Sequence, residues 1–220
     1  MNVSKLLGKI GFKSIGGKAN RLSKTDFGIL KVAFMVAALD GEITEAEYKA
    51  FELLAKNCRG YSVKSAAAAL DEAMRSAGYL MLFSQRNNEK DLVKAFMAEA
   101  RAALPNGFAY LSIEEIRRAI VTWIVMGLSD GDYSVRERNC IESLRKFFAE
   151  LKALRIQQEE EQWLSLSTDL RQACASMNVQ PQATVELVSK DFVGQVERLV
   201  QQYGDKAEAM KMLDSLIKGK

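Results

Sequence analysis

The sequence predicts an all-α protein, on three observations. Alanine, leucine, lysine and glutamate, all good helix formers, are its commonest residues, whereas only 2 of its 220 residues are proline. Apolar residues recur at every third or fourth position, which is the period of an amphipathic helix. No segment alternates β-branched with polar residues for long enough to indicate a strand. We therefore expect seven to ten helices.

Start and stop signals delimit the predicted helices. Glycine or proline ends several of them, as at Gly60, Gly78 and Pro105, and a capping box formed by Ser112 and Glu115 begins another. The predicted helices span residues 26–39, 45–58, 63–77, 89–104, 113–128, 135–151, 156–178 and 183–203, and Asp205 begins a short last one. The first of them is apolar almost throughout and should be buried on most sides.

Three segments divide the chain: a basic N-terminal arm (residues 1–24), a helical domain (25–152) and a C-terminal helical extension (153–220). In the extension, the two predicted helices on either side of Pro181 each carry an apolar face. We expect them to form an antiparallel hairpin docked on the bundle or on a partner, with Trp163 as its anchor.

The net charge of +3 is unevenly distributed. Residues 1–24 contain six Lys or Arg and no acidic residue, whereas the rest of the chain has 25 basic and 28 acidic residues, a net charge of −3. A balance this small does not indicate a nucleic-acid-binding protein. Because the arm also contains leucine, isoleucine and phenylalanine, it could lie on an anionic membrane or on an acidic partner. The alternative is an ordinary packed or solvated helix.

Histidine is absent from the chain. Its absence excludes Ser-His-Asp and Cys-His catalytic sites and His-ligated zinc. Cys58, Cys140 and Cys174 lie far apart and have no C-x-x-C spacing, so we expect small core residues in a reducing cytoplasm. We find no signal-peptide pattern, and no apolar run reaches the roughly 18 residues of a membrane span.

Residues 40–56 and 130–146 form an internal repeat with an offset of 90 residues. They read DGEITEAEYKAFELLAK and DGDYSVRERNCIESLRK. The identical pairs are Asp40/Asp130, Gly41/Gly131, Glu47/Glu137, Glu52/Glu142, Leu54/Leu144 and Lys56/Lys146. Each copy follows an apolar helix and precedes an amphipathic one. We interpret the repeat as a duplicated helix–loop–helix unit, which predicts a helical bundle of two pseudo-symmetric halves plus the C-terminal extension.

Helix-end chemistry explains most of the repeated motif. The glycine after each aspartate would end the preceding helix, where a positive φ is needed. Thr44-x-x-Glu47 and Ser134-x-x-Glu137 are capping boxes that would begin the next helix.

Four carboxylates are left over: Asp40, Glu42, Asp130 and Asp132. The two aspartates would face the negative end of a helix dipole, so they call for a compensating cation. The nearby Lys49, Arg136 and Arg138 could supply it, and so could a hard ion such as Ca²⁺, Mg²⁺ or Mn²⁺. The loop is not an EF-hand, because it lacks the D-x-D-x-D-G run. Metal binding and plain capping with solvated charges both remain open at this point.

The residues resemble the TerB family, helical bacterial proteins associated with tellurite resistance. The resemblance is carried by an apolar helix ending in AALDGEIT, by a second D-G-D motif 90 residues later, and by the basic start SKLLGKIGFKS. It covers residues 1–152 and departs from the family at Ser129, where a small apolar residue is usual. It gives no role to residues 153–220.

The resemblance implies a bundle of two pseudo-symmetric halves whose acidic loops cluster and can hold a divalent cation, Ca²⁺- or Mg²⁺-like. The motif positions that would bind the metal are Asp40, Glu42, Glu47, Asp130, Asp132 and Glu137. It also implies a non-enzymatic, cytoplasmic stress-response protein. Such a protein would act beside other tellurium-resistance proteins, at the inner membrane surface where the basic arm makes contact.

Two alternatives belong to other functional classes. In the first, the protein is a helical adaptor with purely structural acidic loops, and residues 153–220 contact the partner. In the second, the carboxylates form the two-metal site of a hydrolase. The second is disfavoured because no phosphate-binding glycine loop, histidine or G-x-S-x-G motif accompanies the acids.

Overall fold

The computed structural model describes residues 22–58, 61–104, 111–179, 188–203 and 207–219, and every regular element within these ranges is helical. The helices are α1 (Lys24–Ala37), a 3-10 helix (Ala38–Asp40), α2 (Glu45–Asn57), α3 (Val63–Ser84), α4 (Glu89–Ala103), α5 (Ile113–Gly127), α6 (Val135–Ser165), α7 (Thr168–Ser176), α8 (Lys190–Tyr203) and α9 (Ala207–Lys218). The predicted all-α class is confirmed. The basic arm lies almost wholly outside the described residues, which begin at Leu22.

The helix α1 lies at the centre of the bundle. Every residue from Ile29 to Leu39 is buried, as the nearly continuous apolar sequence predicts. It packs against α2, α3, α4 and α5. The indole Nε1 of Trp123 in α5 donates a 3.1 Å hydrogen bond to the carbonyl oxygen of Ile29. The two apolar helices that precede the repeats therefore pack against each other.

The helices that follow the two Asp–Gly loops of the repeat, α2 and α6, each bury one face against this centre. Leu54 of α2 and Leu144 of α6, which the repeat aligns, are both buried. On α2, Phe51 packs edge-on against Phe34 of α1, and on α6, Phe148 stacks on Trp123 of α5. Each of the two helices thus packs an aromatic ring against the buried helix that precedes it.

The helix α3 extends beyond its predicted end, and α6, which the sequence predicts to reach at least Leu151, continues to Ser165. The helix α3 continues past Gly78 to Ser84, because burial of Leu80 and Ser84 on its last turns outweighs the roughly 1 kcal/mol cost of an interior glycine. The helix α6 runs on through residues 152–165, where neither glycine nor proline interrupts it. The predicted helix over 156–178 is therefore two pieces, the end of α6 and, after a break at Leu166, α7.

The C-terminal hairpin is formed by α8 and α9, which pack against each other and against α5. Their buried side chains include Phe192, Val193, Val196, Val200, Ala209, Leu213 and Ile217. The hairpin had been predicted between residues 156–178 and 183–203, but α7 buries no side chain and Trp163 is only half-buried. The apolar face of α8 is satisfied instead by the next helix in the chain.

Two of the three cysteines are core residues, as predicted. Cys58 and Cys140 are buried, and burial raises the pKa of both thiols. Cys174 is half-exposed on α7. Among the helices of the described residues, none is apolar over a stretch long enough to cross a membrane.

Candidate functional site

The candidate site consists of two loops, each placed between a buried helix and an amphipathic one. The first joins the 3-10 helix to α2, and the second joins α5 to α6. Gly41 and Gly131 adopt left-handed conformations, with φ of 112° and 101°. A side chain would be strained at either position, so both glycines serve as the helix stops that the sequence predicts.

The two repeated aspartates make the same local hydrogen bond. Asp40 Oδ1 accepts from the backbone N–H of Glu42 at 3.0 Å, and Asp130 Oδ1 accepts from that of Asp132 at 2.9 Å. Each bond spans the glycine and closes a turn of the Asx type. The aspartates therefore have a structural role that the sequence analysis did not assign to them.

The two repeated glutamates begin the helices that follow the loops. Glu47 Oε2 accepts from the N–H of Thr44 at 2.5 Å, and Glu137 Oε2 accepts from that of Ser134 at 2.6 Å. In return, each glutamate N–H donates to the hydroxyl oxygen of the same Thr or Ser. Both predicted capping boxes are confirmed.

These glutamates are also nearly inaccessible, with exposures of 1% for Glu47 and 3% for Glu137. Burial raises the pKa of Glu47 to about 7 and that of Glu137 to about 8, against the lowering effect of their hydrogen bonds. The negative charges of Asp40 and Asp130 contribute to both rises. The 3-10 helix that ends at Asp40 packs against α6, so the two loops lie close together and each acts electrostatically on the glutamate of the other.

Asp40 is subject to the same effects. Burial raises its pKa above the usual value, its hydrogen bond from Glu42 lowers it, and the charges of Asp130, Glu42 and Asp132 raise it. Glu42, Asp130 and Asp132 are exposed. The structure therefore brings all six predicted residues into one acidic region, with two carboxyl groups buried, one half-buried and three at the surface.

Two of the basic side chains near the loops, Lys49 and Arg138, are engaged elsewhere. Lys49 pairs with Glu45 at 2.5 Å, and the guanidinium of Arg138 lies over the ring of Tyr133, 5.1 Å from its centre. Across the described ranges, no ion pair includes any of the six carboxylates. The salt-bridge alternative for balancing the acidic loops is not observed in this part of the chain.

The carboxylate oxygens of the two loops are ligands that a hard cation prefers, but their side chains do not converge on one metal position. Within the residues that the structure describes, no group of three or more His, Cys, Asp or Glu side chains is arranged to hold a metal ion. One further oxygen is present in the second loop: Ser129 Oγ, next in the chain to Asp130, is buried and has no hydrogen-bond partner.

Sequence reasoning missed Tyr133, which ties the second loop to α8. Its hydroxyl lies 3.2 Å from Glu197 Oε1, and its ring lies 3.2 Å from the position of a Cβ built on Gly127. Burial raises the pKa of the Tyr133 hydroxyl. The signal in the sequence is an aromatic residue at the position that Ile43 occupies in the first repeat.

Comparison of the chain with protein-family models, with curated proteins and with solved structures gives no significant match.

Proposed function

We propose that this protein is a non-enzymatic, TerB-like stress protein that binds a divalent cation at its two acidic loops. The observation that supports the proposal is the proximity of two identical Asp–Gly turns whose carboxylates repel one another and have no basic partner among the described residues. Repulsion of this kind is relieved by a bound cation. The resemblance to the TerB family supplies the association with tellurite resistance.

The proposal includes a pseudo-twofold relationship between the two halves. It is supported by the matching φ values of Gly41 and Gly131, by the matching Asx turns and capping boxes, and by the burial of Leu54 and Leu144. A symmetry axis between the loops would place equivalent oxygens on both sides of one ion.

Asp40 and Asp130 would be the main cation ligands, since only one oxygen of each is used in its Asx turn. Glu42 and Asp132 would support them through their charge or through water, and Ser129 Oγ could contribute a neutral oxygen. Glu47 and Glu137 each commit one oxygen to a capping box, so their part would be mainly electrostatic. A site with few direct protein ligands predicts modest affinity.

Thermal unfolding with added metal tests this function. Millimolar CaCl₂, MgCl₂ or MnCl₂, each compared with EDTA, should raise the melting temperature progressively with concentration, because a ligand that binds only the folded state stabilises it. Asp40→Asn/Asp130→Asn should remain folded and lose the shift, since asparagine preserves the Asx turn but removes the charge. Glu45→Gln/Glu52→Gln, which removes two exposed carboxylates from outside the site, should keep it. An unchanged wild-type curve with all three ions would exclude the cation site.

A second candidate is the helical adaptor, in which the acidic loops are only structural. It is favoured by the local hydrogen bonds that occupy Asp40, Asp130, Glu47 and Glu137, and by the lack of converging ligands among the described residues. Isothermal titration separates the two candidates. The cation-site proposal predicts that the wild type gives a saturable heat with divalent ions and that Asp40→Asn/Asp130→Asn removes it. The adaptor hypothesis predicts no saturable heat with the wild type.

On the first proposal the partners would be other tellurium-resistance or stress proteins, with the basic arm (residues 1–24) available for contact at a cytoplasmic membrane surface, whereas the adaptor would contact its partner through residues 153–220. Pull-down of the full chain and of a chain lacking residues 2–18 from a tellurite-stressed bacterial lysate would test this assignment. The association should include tellurium-resistance proteins and depend on the arm; binding that is the same in both chains would contradict a role for the arm.

A further inference from the structure

The second half of α6 and the whole of α7 form a segment without a core of its own. No residue from 149 to 179 is buried. Five of its large apolar side chains are more than half exposed: Leu154, Leu164, Leu170, Met177 and Val179. We call residues 153–179 the distal arm. Because helices in proteins gain most of their stability by packing an apolar face, the distal arm would be stabilised by a segment that packs on its exposed apolar side chains.

The charge of the distal arm indicates what kind of cover would fit. Residues 153–179 contain Glu159, Glu160, Glu161 and Asp169 against two arginines, a net charge of −2. Glu159 is already paired with Arg155 at 2.7 Å, so the acids left for a partner are Glu160, Glu161 and Asp169. A complementary segment would combine basic and apolar side chains. Residues 1–24 have this composition, with six basic residues and no acidic one. The apolar residues among them are Leu6, Leu7, Ile10, Phe12 and Ile15.

The fold also brings the start of α1 near the base of the distal arm. The charge of Glu115, in the first turn of α5, acts both on Asp26, in the first turn of α1, and on Lys152 of α6. The ammonium group of Lys152 donates to the carbonyl oxygen of Leu111, just before α5. The helices α1 and α6 are also in contact with each other, so the start of α1 and the base of the distal arm belong to the same packed part of the bundle.

The distance to be covered is short. Trp163 lies about 16 Å along α6 from Lys152, at 1.5 Å per helical residue. The roughly 20 residues before Leu22 could span up to about 65 Å if extended, and about 30 Å if helical.

We propose that residues 5–18 of the basic arm bind the distal arm of the same chain over residues 156–170. The lysines of the basic arm pair with the acids left for a partner, and its apolar side chains cover Trp163 and Leu164. The basic arm is then an internal ligand of the acidic helix, and any anionic membrane or acidic partner must compete with the distal arm for it. This inference is independent of the cation site.

Tryptophan fluorescence of the full chain provides the test. Trp123 is fully buried and Trp163 is half-buried, so acrylamide quenching reports mainly on Trp163. Deletion of residues 2–18 should raise the quenching constant, because Trp163 would lose the side chains that cover it. Trp163→Phe should abolish the difference between full-length and truncated chains.

Charge reversal tests the specific pairing. Glu160→Lys/Glu161→Lys/Asp169→Lys, which leaves the Arg155–Glu159 pair intact, should raise quenching as much as the deletion does. The added changes Lys5→Glu/Lys9→Glu/Lys13→Glu should restore protection. Reversal of three exposed acids outside the distal arm, Glu45→Lys/Glu52→Lys/Glu208→Lys, should have no effect. Circular dichroism confirms that each variant is folded.

Two results would overturn the inference. In one, the deletion leaves the quenching of Trp163 unchanged, so the basic arm does not cover it. In the other, protection persists in the truncated chain and rises with protein concentration together with the molecular mass in light scattering, which would assign the cover to a second copy.

Discussion

Glu137 lies directly against the backbone of Gly127, and a Cβ built on that glycine would be 2.8 Å from Glu137 Oε1. The same added atom would lie 3.2 Å from Tyr133 Cε2. Since the other oxygen of Glu137 caps α6, the carboxylate cannot easily move away. The last residue of α5 must therefore be glycine so that the buried glutamate can cap α6.

Gly127→Ala should destabilise the protein by about 1 kcal/mol. Overpacking costs about 1–3 kcal/mol, and part of this is offset by the higher helix propensity of alanine. Gly78→Ala is the matched control, because a Cβ there meets nothing within 4 Å and the position lies inside α3. That change should stabilise by about 0.5–1 kcal/mol. Urea unfolding of both variants checks the expectation, and equal effects of one sign would contradict it.

Stability should fall as the pH rises through the range in which the buried glutamates ionise. Both have an ordinary pKa of 4.5, raised in the folded protein to about 7 for Glu47 and about 8 for Glu137. Between the ordinary pKa of 4.5 and the raised values in the folded protein, the folded chain binds more protons than the unfolded chain. The free energy of unfolding therefore decreases as the pH rises. Their contribution is fully present below about pH 4.5 and is lost through about pH 8.

Glu47→Gln/Glu137→Gln isolates this contribution, because glutamine can still close a capping box. Relative to the wild type, the double variant should gain on the order of 1 kcal/mol or more between about pH 5 and pH 8.5. Urea unfolding in EDTA at several pH values measures the difference. Parallel pH profiles for the two proteins would show that the glutamates titrate normally.

The repeat predicts equivalent core positions at Leu54 and Leu144, which are 1% and 0% exposed. Truncation of either to alanine should cost about 2–5 kcal/mol, the range for a buried leucine. Leu154→Ala, an exposed leucine on α6, should cost less than about 0.5 kcal/mol. Denaturant midpoints of the three variants suffice for the comparison. Near-neutral effects at both core positions would mean that the alignment of the repeats is misleading.

The α8–α9 hairpin should contribute to the stability of the bundle, whereas α7 should not. Phe192 of α8 is buried and lies under the guanidinium of Arg117 of α5, 5.9 Å from its ring centre. Phe192→Ala should cost about 3–5 kcal/mol. Met177→Ala at the C-cap of α7 should change stability by less than about 0.5 kcal/mol, since the side chain is exposed. Thermal melts of both variants test the contrast.

The local features of the fold followed from the sequence, because they depend on neighbouring residues. The glycine stops at Gly41 and Gly131 and the capping boxes at Thr44 and Ser134 are set by short-range hydrogen bonds. Which helices pair in the extension was not predictable in this way. The apolar face of α8 could be covered by either neighbouring helix, and the choice of α9 depends on long-range packing on α5.

The acidic site was predictable as a set of residues but not as an arrangement. The sequence identified all six carboxylates, and their spacing carried no information on burial. Glu47 and Glu137 are buried by packing between distant helices, whereas Glu42 and Asp132, two residues after their aspartates, remain exposed. The roles of Tyr133 and Gly127 depend on contacts with α6 and α8, which no local sequence pattern predicts.

Because the three cysteines are unequally buried, the native protein is suited to chemical labelling at a single thiol. Cys58 and Cys140 are enclosed in the core, whereas Cys174 is half-exposed. A maleimide dye should therefore modify one thiol per folded chain and all three after denaturation. The label would sit on α7, where its fluorescence could follow the position of that helix without any engineered cysteine.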